Sequence, residues 1–495
     1  MPASREPLCL LTRRTLPMVR GGVSVPTYDA RDLTAGVVHF GLGRFHRSHQ
    51  ASYFDRLAEE GVSSAWGSVG ASLRTAGTKQ ALSNQDGLHT VFERGDTDAR
   101  LRVVGSLKRC LFGPRQERLL LEALTHPGTK LVSLTVTAPT YQTQSPRELG
   151  DGVFGYLAAA LQRRHADGTP PFTVMSCDNV PENGNAARRQ VLAAAELVDR
   201  GLARWIDAHV AFPNSMVDRI TPPLGAELRD EVAARLGLRD ECAVVTESFS
   251  QWVVEDRFCN TRPPLDAVGV QFVADAAPYR EVKSRLLNAS HCALGYLGTA
   301  AGLSTTAEAM RDPALAGFVR TMMREEVAPR VSTPAGLNVC HYQDQVVRRL
   351  ASTALADPLT RLCARGSVRI PAYVLPSVEA AVRASAPRRR LTLVVAAWIA
   401  TLRREGAARA GQDPGADMLQ ALVRHHPNDV RPLLRHGALF GGLGQSEAWA
   451  AELQATLVHL ETYGVRAALA AASHPHWTGL HGGSHTQGVS DAAVS

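Results

Sequence analysis

The chain has 495 residues, 45% of them hydrophobic and 20% charged, an ordinary balance for a globular protein but too long for one core, so two domains or more are expected. Its formal charge of +7 comes from acids and bases interleaved along the sequence, and no apolar run reaches the roughly 18 residues that cross a bilayer, so neither a nucleic-acid nor a membrane partner is expected. Eight scattered cysteines without a C-x-x-C pair argue against a disulfide framework or a structural zinc site, so no metal is expected.

The N-terminal "CLLTRRTLPMV" is interrupted by Arg13, Arg14 and Pro17 and does not form a signal peptide, so the chain reads as cytoplasmic. The first clear unit opens with "GVVHFGLGRFHRSHQASYFDRLAEEG". Val37, Val38 and Phe40 predict a short buried strand, Gly41 and Gly43 a tight turn, and Phe45, Ala51, Tyr53, Phe54 and Leu57 the apolar face of a helix. Strand, Gly-x-Gly and helix together begin a dinucleotide-binding unit, whose helix N-terminus can hold a pyrophosphate. A plain glycine turn is the alternative, because His46 stands where the usual fingerprint has its third glycine.

"AWGSVGAS" supplies a second strand, followed by "LRVVGSL" (101–107), "KLVSLTV" (130–136) and "FTVMSC" (172–177). Helical segments at 115–125 and 151–165 separate them, and strands alternating with helices predict a parallel, wound sheet. Further helices are expected over 184–209 and 225–237, with short strands in "AVVTES" and "GVQFVA". From about 278 Ala, Leu and Arg take over with helical period, and Arg388–Arg390, beside Pro387, is expected to form a solvated helix start. The expected fold is α/β: a Rossmann-type dinucleotide-binding domain over 1–277, then a mainly α-helical domain over 278–472. The tail 473–495, rich in Gly, His and Ser, is expected to be disordered.

The stretch "VKSRLLNASHCALGYLG" (282–298) places Lys283, Asn288 and His291 in an otherwise apolar helix, where each must be paired or hydrated if buried. At about 100° per residue the three fall within a sector of roughly 140°, so their heads can converge on one cleft. Leu286, Leu287, Leu294 and Leu297 would anchor the helix. An amphipathic helix with a snorkelling lysine is the alternative. The chemical reading is that a desolvated lysine amine, brought down from its ordinary pKa of ~10.4, removes a proton from a hydroxyl. Asn and His then donate to the developing alkoxide. Of 54 basic residues only Lys79, Lys108, Lys130 and Lys283 are lysine, and arginine cannot lose its proton near neutrality. A second polar cluster follows the strand 172–177, where Asp178 and Asn179 stand at the edge at which wound sheets place ligands; an Asx turn is the alternative there.

Taken together, "HFGLGRFHRSHQA", "TVMSCDNVPENG", "FPNSMVDRITP", "ESFSQWVVEDRF" and "KSRLLNASH" resemble, in order and spacing, the polyol-specific long-chain dehydrogenases. That family includes mannitol 2-dehydrogenases, fructuronate and tagaturonate reductases and arabinitol dehydrogenases. The resemblance runs from about residue 25 to 470. It implies Lys283 as the catalytic lysine, Asn179 and Asn288 as the pair that holds the substrate oxygen, and His291 as the residue that orients the substrate. It also implies Gly41, Gly43, Phe45 and His46 as the cofactor turn, NAD or NADP as cofactor, a zinc-free reaction and a monomer. The activity implied is hydride transfer between the nicotinamide and a secondary alcohol of a linear polyol, most like D-mannitol to D-fructose. A hexuronate, a sugar phosphate or a catalytically impaired nucleotide-binding role are the alternatives.

Several positions depart from that pattern. Where NAD-preferring members carry an acidic pair, this chain has Ala76 and Gly77 flanked by Arg74 and Lys79, so NADP is expected to be accepted at least as well as in those members. Ala138 and Arg280 replace two family glutamates, which is expected either to move the pH optimum of oxidation downward or to slow proton relay. Ser352 replaces an asparagine, and Arg369, which can fork onto a carboxylate or phosphate of the substrate, replaces a lysine.

Overall fold

The computed structural model describes residues 8–74, 76–143, 145–404, 413 and 415–473. They form two compact units: one runs to Arg280 and takes in Thr353–Leu355, the other comprises Glu281–Ser352 and the described residues from Ala356 onward. Among the described residues no helix is long and apolar enough to cross a membrane.

The first unit is built on five strands: β1 (Val37–Phe40), β2 (Ser68–Ser72), β3 (Leu107–Phe112), β4 (Leu131–Leu134) and β5 (Thr173–Ser176). All pair in parallel, in the order β3-β2-β1-β4-β5. Every residue of β1 and β4 is buried, as expected for strands covered on both faces. Helices Gly113–Thr125, Val153–Ala166, Asn183–Glu196 and Arg200–His209 contribute to the core that holds Val38, Phe40 and Val132. A separate core holds Val37 and Leu131 with Tyr53, Phe54 and Leu57 of helix Gln50–Glu59, and with Trp66 and Trp252. The chain winds outward from β1 through β2 to β3 and then returns to the other side of β1 with β4, so the order reverses next to the Gly-x-Gly turn. Open α/β sheets bind ligands in the crevice at such a reversal.

The predicted strand 101–107 does not form as one element. Ala99–Val104 pairs antiparallel with His89–Arg94 in a second, four-stranded sheet, whereas Leu107 begins β3. Gly105 and Ser106 break the run, and the Gly105 N–H is bound instead by the buried carboxylate of Asp55 at 2.8 Å. "AVVTES" yields Val244–Glu247 in that second sheet, and "GVQFVA" yields Gln271–Val273 in a three-stranded sheet with Gln251–Glu255 and Ser215–Asp218.

The second unit is helical among its described residues. Trp398 and Trp449 are buried in its core, where helix Arg389–Arg404 packs beside helix Glu447–Ser473. The expected solvated start at Arg388–Arg390 is not what forms. The Arg390 side chain is only 10% exposed and pairs with the fully buried Glu326 at 3.3 Å, while Arg388 pairs with Glu452 at 2.7 Å. The reason is capping: Glu326 accepts the Arg390 and Leu391 backbone N–H groups at 3.0 and 2.9 Å, and a carboxylate buried at a helix start requires a cation beside it. Ser473 closes the last helix, and the remainder of the expected disordered tail lies outside the described residues.

Candidate active site

At the Gly-x-Gly turn the two glycines serve different ends. Gly41 has φ +106°, and a Cβ there would stand 2.1 Å from the Thr135 carbonyl oxygen, so the fold itself requires glycine. Gly43 is in extended conformation with φ −71°, and a Cβ there would meet nothing within 4 Å. Its lack of a side chain is not needed by the surrounding protein, which fits a backbone kept bare for a ligand. Two substitutions separate these cases. Gly41→Ala is expected to lower stability by about 3 kcal/mol, read as a shift in the urea midpoint. Gly43→Ala is expected to stay within about 0.5 kcal/mol in the same titration, while weakening NADH binding at least about tenfold.

Beneath the turn lies a set of buried histidines. His39 on β1 stacks on His46 with ring centroids 3.5 Å apart and planes 10° from parallel. His39 Nε2 donates to the Gly41 carbonyl at 3.0 Å, and Nδ1 accepts from the Ser133 hydroxyl at 2.7 Å. Burial pushes His39 down to about 3 and His89 to about 4, and holds His46 well below 6.5, so all three are neutral at pH 7. His46 is 1% exposed, and neither of its ring nitrogens has a partner. At the third fingerprint position it thus packs as a flat ring against His39, filling space that a glycine would leave empty. Phe45 is half-buried and stacks on His49 at 4.9 Å.

Beyond β2, Arg74 is exposed and donates to Thr140 Oγ1 at 3.0 Å. Lys79 lies half-buried in helix Gly77–Asn84, close enough to Cys110 on β3 for its charge to act on that thiol. Asn179 is exposed just past the end of β5. Its neighbour Asp178, expected beside it at the ligand edge of the sheet, ties the loop after β4 in place. The carboxylate accepts the Val136 and Thr137 N–H groups at 3.0 and 2.8 Å and the Tyr141 hydroxyl at 2.7 Å. Thr137 is held at φ +77°, a strained backbone for a β-branched residue, and Ala138 follows it. Arg280 lines a small surface pocket with Glu182, Asn183, Asn214 and Ser215. The motifs "PENG" and "FPNS" interlock there: Asn183 Oδ1 accepts the Ser215 N–H at 2.9 Å, and a Cβ on Gly184 would stand 2.5 Å from the Phe212 and Pro213 carbonyl oxygens.

In the second unit the stretch around Lys283 is not a plain α-helix. Helix Ala277–Lys283 gives way to a π turn at Ser284–Asn288, α at Ala289–Ala293 and a second π turn at Leu294–Gly298. A π turn closes i→i+5 and takes up an extra residue. Lys283 and Asn288, five apart across the first one, therefore come nearer to a common face than α spacing allows. Leu286, Leu287, Leu294 and Leu297 are all buried in the helical core, as expected. Lys283, Asn288 and His291 are 5%, 7% and 5% exposed.

His291 Nε2 has no partner. Burial, then the charges of Arg361, Arg369, Arg349 and Lys283, hold its pKa well below 6.5 and keep the ring neutral. Those cations gather around one imidazole, and Arg361 and Arg349 carried no sequence signal in an arginine-rich chain. Arg361 pairs with Asp357, its Nε 2.6 Å from the carboxylate. Arg369 gives Nη1 to the Arg361 and Leu362 carbonyls at 3.2 and 2.7 Å, so part of its fork caps helix Leu359–Cys363.

A parallel sheet wound about a Gly-x-Gly turn, followed by a helical unit with a buried lysine, asparagine and histidine, defines a dehydrogenase of the Rossmann class. The mannitol dehydrogenase Rossmann domain matches residues 35–267, and the mannitol dehydrogenase C-terminal domain matches 275–461. The chain belongs to the mannitol dehydrogenase family. It is 40% identical to mannitol 2-dehydrogenase of Phaeosphaeria nodorum, over 95% of this chain and 87% of that one. Among solved structures, the Pseudomonas fluorescens mannitol 2-dehydrogenase ternary complex with NAD and D-mannitol is 36% identical at a TM-score of 0.87, covering 93% of this chain and 98% of that one. A D-sorbitol dehydrogenase in substrate-free form is 30% identical at a TM-score of 0.81, covering 93% and 100%.

Proposed function

We propose that this protein interconverts a linear polyol and its ketose with NAD, most like D-mannitol and D-fructose. The observation that carries the reading is the buried set Lys283, Asn288 and His291, with a π turn between the first two, in a chain that shares its family with mannitol 2-dehydrogenases. Gly41, Gly43, Phe45 and His46 would hold the dinucleotide, and the open space over Gly43 fits a pyrophosphate against bare backbone. When bound, the nicotinamide accepts the hydride in oxidation and supplies it in reduction.

The chain's own residues handle the oxygen and its proton. Lys283 Nζ takes the hydroxyl proton in oxidation and returns it in reduction. Asn179 and Asn288 donate their amide N–H groups to the oxygen as negative charge grows on it, which stabilises the alkoxide without moving a proton. His291, kept neutral at pH 7 by its burial and its cationic neighbours, orients the substrate through Nε2.

A second reading, hexuronate reduction, draws on Arg349, Arg361 and Arg369 gathered around His291, since a carboxylated sugar would find guanidinium groups there. A substrate panel separates the two, following the reduced-nicotinamide absorbance band. D-fructose and D-mannitol are expected to turn over at least about tenfold better in kcat/KM than fructuronate or tagaturonate, a gap of about 1.4 kcal/mol. The reverse order would establish the second reading, and no turnover with any of the four would overturn both.

A further inference from the structure

We infer that Asp178 is a positioning residue of the reaction: its carboxylate clamps the backbone after β4 in a strained form at Thr137, and so fixes one wall of the crevice at which Asn179 stands. The inference rests on the dehydrogenase reading and adds to it a residue that acts through others, without touching substrate or cofactor. β4 is the strand with which the sheet resumes on the other side of β1, so the loop that follows it borders the ligand crevice.

Leu134 of β4 pairs with Ser176 of β5. Thr137 and Asn179, each the third residue beyond that pair, therefore leave the same edge of the sheet on neighbouring strands, and both are exposed. Asp178 joins the two. Its Oδ2 and Oδ1 accept the consecutive N–H groups of Val136 and Thr137 at 3.0 and 2.8 Å, and Oδ2 also accepts the Tyr141 hydroxyl at 2.7 Å. Bonds to an ionised acceptor are about twice as strong as those between neutral groups. At φ +77° and ψ 152° Thr137 lies in backbone space that is essentially glycine's alone, and a side chain is kept there only where its surroundings over-determine it. The bidentate carboxylate supplies that constraint. Asp178 is itself fixed, since Asn183 Nδ2 donates to its carbonyl at 3.1 Å and its own N–H donates to Ser176 Oγ at 3.3 Å. On the other side the Thr135 hydroxyl donates to the Gly41 carbonyl at 2.8 Å, so the clamped loop is joined to the cofactor turn. Glycine at 137 would adopt this conformation without strain. A β-branched residue fastened there by a carboxylate instead gives a loop of one stiff shape, at the edge where Asn179 must meet the oxygen.

The experiment compares full-length wild type, Asp178→Asn and the double variant Asp178→Asn, Thr137→Gly, using the panel substrate that the wild type turns over best. Hydrogen exchange over residues 131–143, followed by mass spectrometry, reads the clamp; kcat, KM and the NADH dissociation constant read its consequence. In Asp178→Asn the segment is expected to exchange faster and kcat to fall at least about tenfold, with NADH affinity changed less than about threefold. Glycine at 137 makes the clamped conformation accessible without strain, so the double variant is expected to recover at least about threefold of the lost kcat. A residue that merely supports the fold predicts the opposite, because glycine would loosen the loop further. Unchanged exchange in Asp178→Asn would overturn the clamp, and faster exchange with unchanged kcat would overturn its bearing on the reaction. A loss that glycine deepens, or one shared equally by NADH binding, would likewise overturn the inference. Should Asp178→Asn not fold, Tyr141→Phe keeps the ring against Phe154 and removes the hydroxyl bound to the carboxylate. It is expected to lower kcat at least about threefold, and an unchanged kcat there would overturn the inference as well. A wild type that turns over none of the panel removes the dehydrogenase reading and the inference with it, whereas an active wild type with indifferent variants removes the inference alone.

Discussion

Lys283→Ala is expected to lower kcat for polyol oxidation by a factor of about 10³, with NADH affinity changed less than about twofold. The size follows from the role. A positioned general base contributes roughly 10²–10⁴ in rate, and the upper half of that range applies where no other group can take the proton. The groups that share the charge environment of His291 with Lys283 meet that condition. His291 is held neutral by burial and by three arginines, and its low proton affinity makes it a poor substitute base. The arginines themselves stay protonated. Lys283→Arg tests the same point more sharply. It keeps the charge and most of the stem, so a role in packing or in electrostatic attraction would survive it, whereas a role in proton transfer would not. The expected outcome is that the arginine variant is as inactive as the alanine variant, with kcat within about threefold of it. An arginine variant retaining a tenth or more of the wild-type kcat would remove proton transfer from Lys283 and leave it a binding cation. Single-turnover measurements with saturating cofactor read the chemical step directly, and denaturation midpoints show whether either variant is merely unfolded.

What could be read in the sequence was what residue type alone determines. A lysine, an asparagine and a histidine in an apolar helix stand out because each requires a partner when buried, and Gly41 stands out because few residues accept a positive φ. The parallel sheet was legible where strands were short, apolar and separated by helices, as at Val37–Phe40, Leu131–Leu134 and Thr173–Ser176. It was not legible between residues 99 and 112, because adjacent strands of two different sheets read as one apolar run until Asp55 is seen binding the Gly105 N–H. The π turns at Ser284–Asn288 and Leu294–Gly298 have no residue signature, since packing of the surrounding helices decides whether a turn closes i→i+4 or i→i+5. Arg361 and Arg349 were hidden for a compositional reason: with so many arginines in the chain, one beside the site looks like any other. Asp178 stood out at the strand end, but its partners, Thr137 and Tyr141, were hidden because they lie some forty residues away in sequence.

The buried histidines beneath the glycine turn lead to the second large effect, a dependence of stability on acid that one substitution should largely relieve. In the folded protein His39 titrates at about 3, His89 at about 4 and His46 well below 6.5, each lowered first by burial. In the unfolded chain each returns to about 6.5. Between the folded and unfolded values the unfolded chain binds more protons, so stability rises with pH there. The contribution is complete above pH 7 and is lost as pH falls below 6.5, at up to about 1.4 kcal/mol per pH unit for each histidine. Asp55, Asp178 and Glu326 act in the opposite sense, because burial raises them and the folded protein then binds the extra proton, so the slope of the wild-type protein is a net of the two groups. A difference between two proteins isolates the histidine. His46 is the one to change, since neither ring nitrogen is hydrogen-bonded and its contact with His39 is a stack that a phenyl ring can keep. His46→Phe removes the proton site and leaves the carboxylates as they were. The offset at pH 7.5 depends on how the larger ring packs and carries no information about protons. The slope does: relative to wild type, the variant is expected to gain stability steadily as pH falls below 6.5, read from urea midpoints between pH 6.5 and 4.5 at matched ionic strength. A difference that stays constant across that range would show that His46 is as readily protonated in the folded protein as in the unfolded chain. The stack on His39 would then be one of an imidazolium on a neutral ring, with an electrostatic role at the glycine turn in place of a packing one.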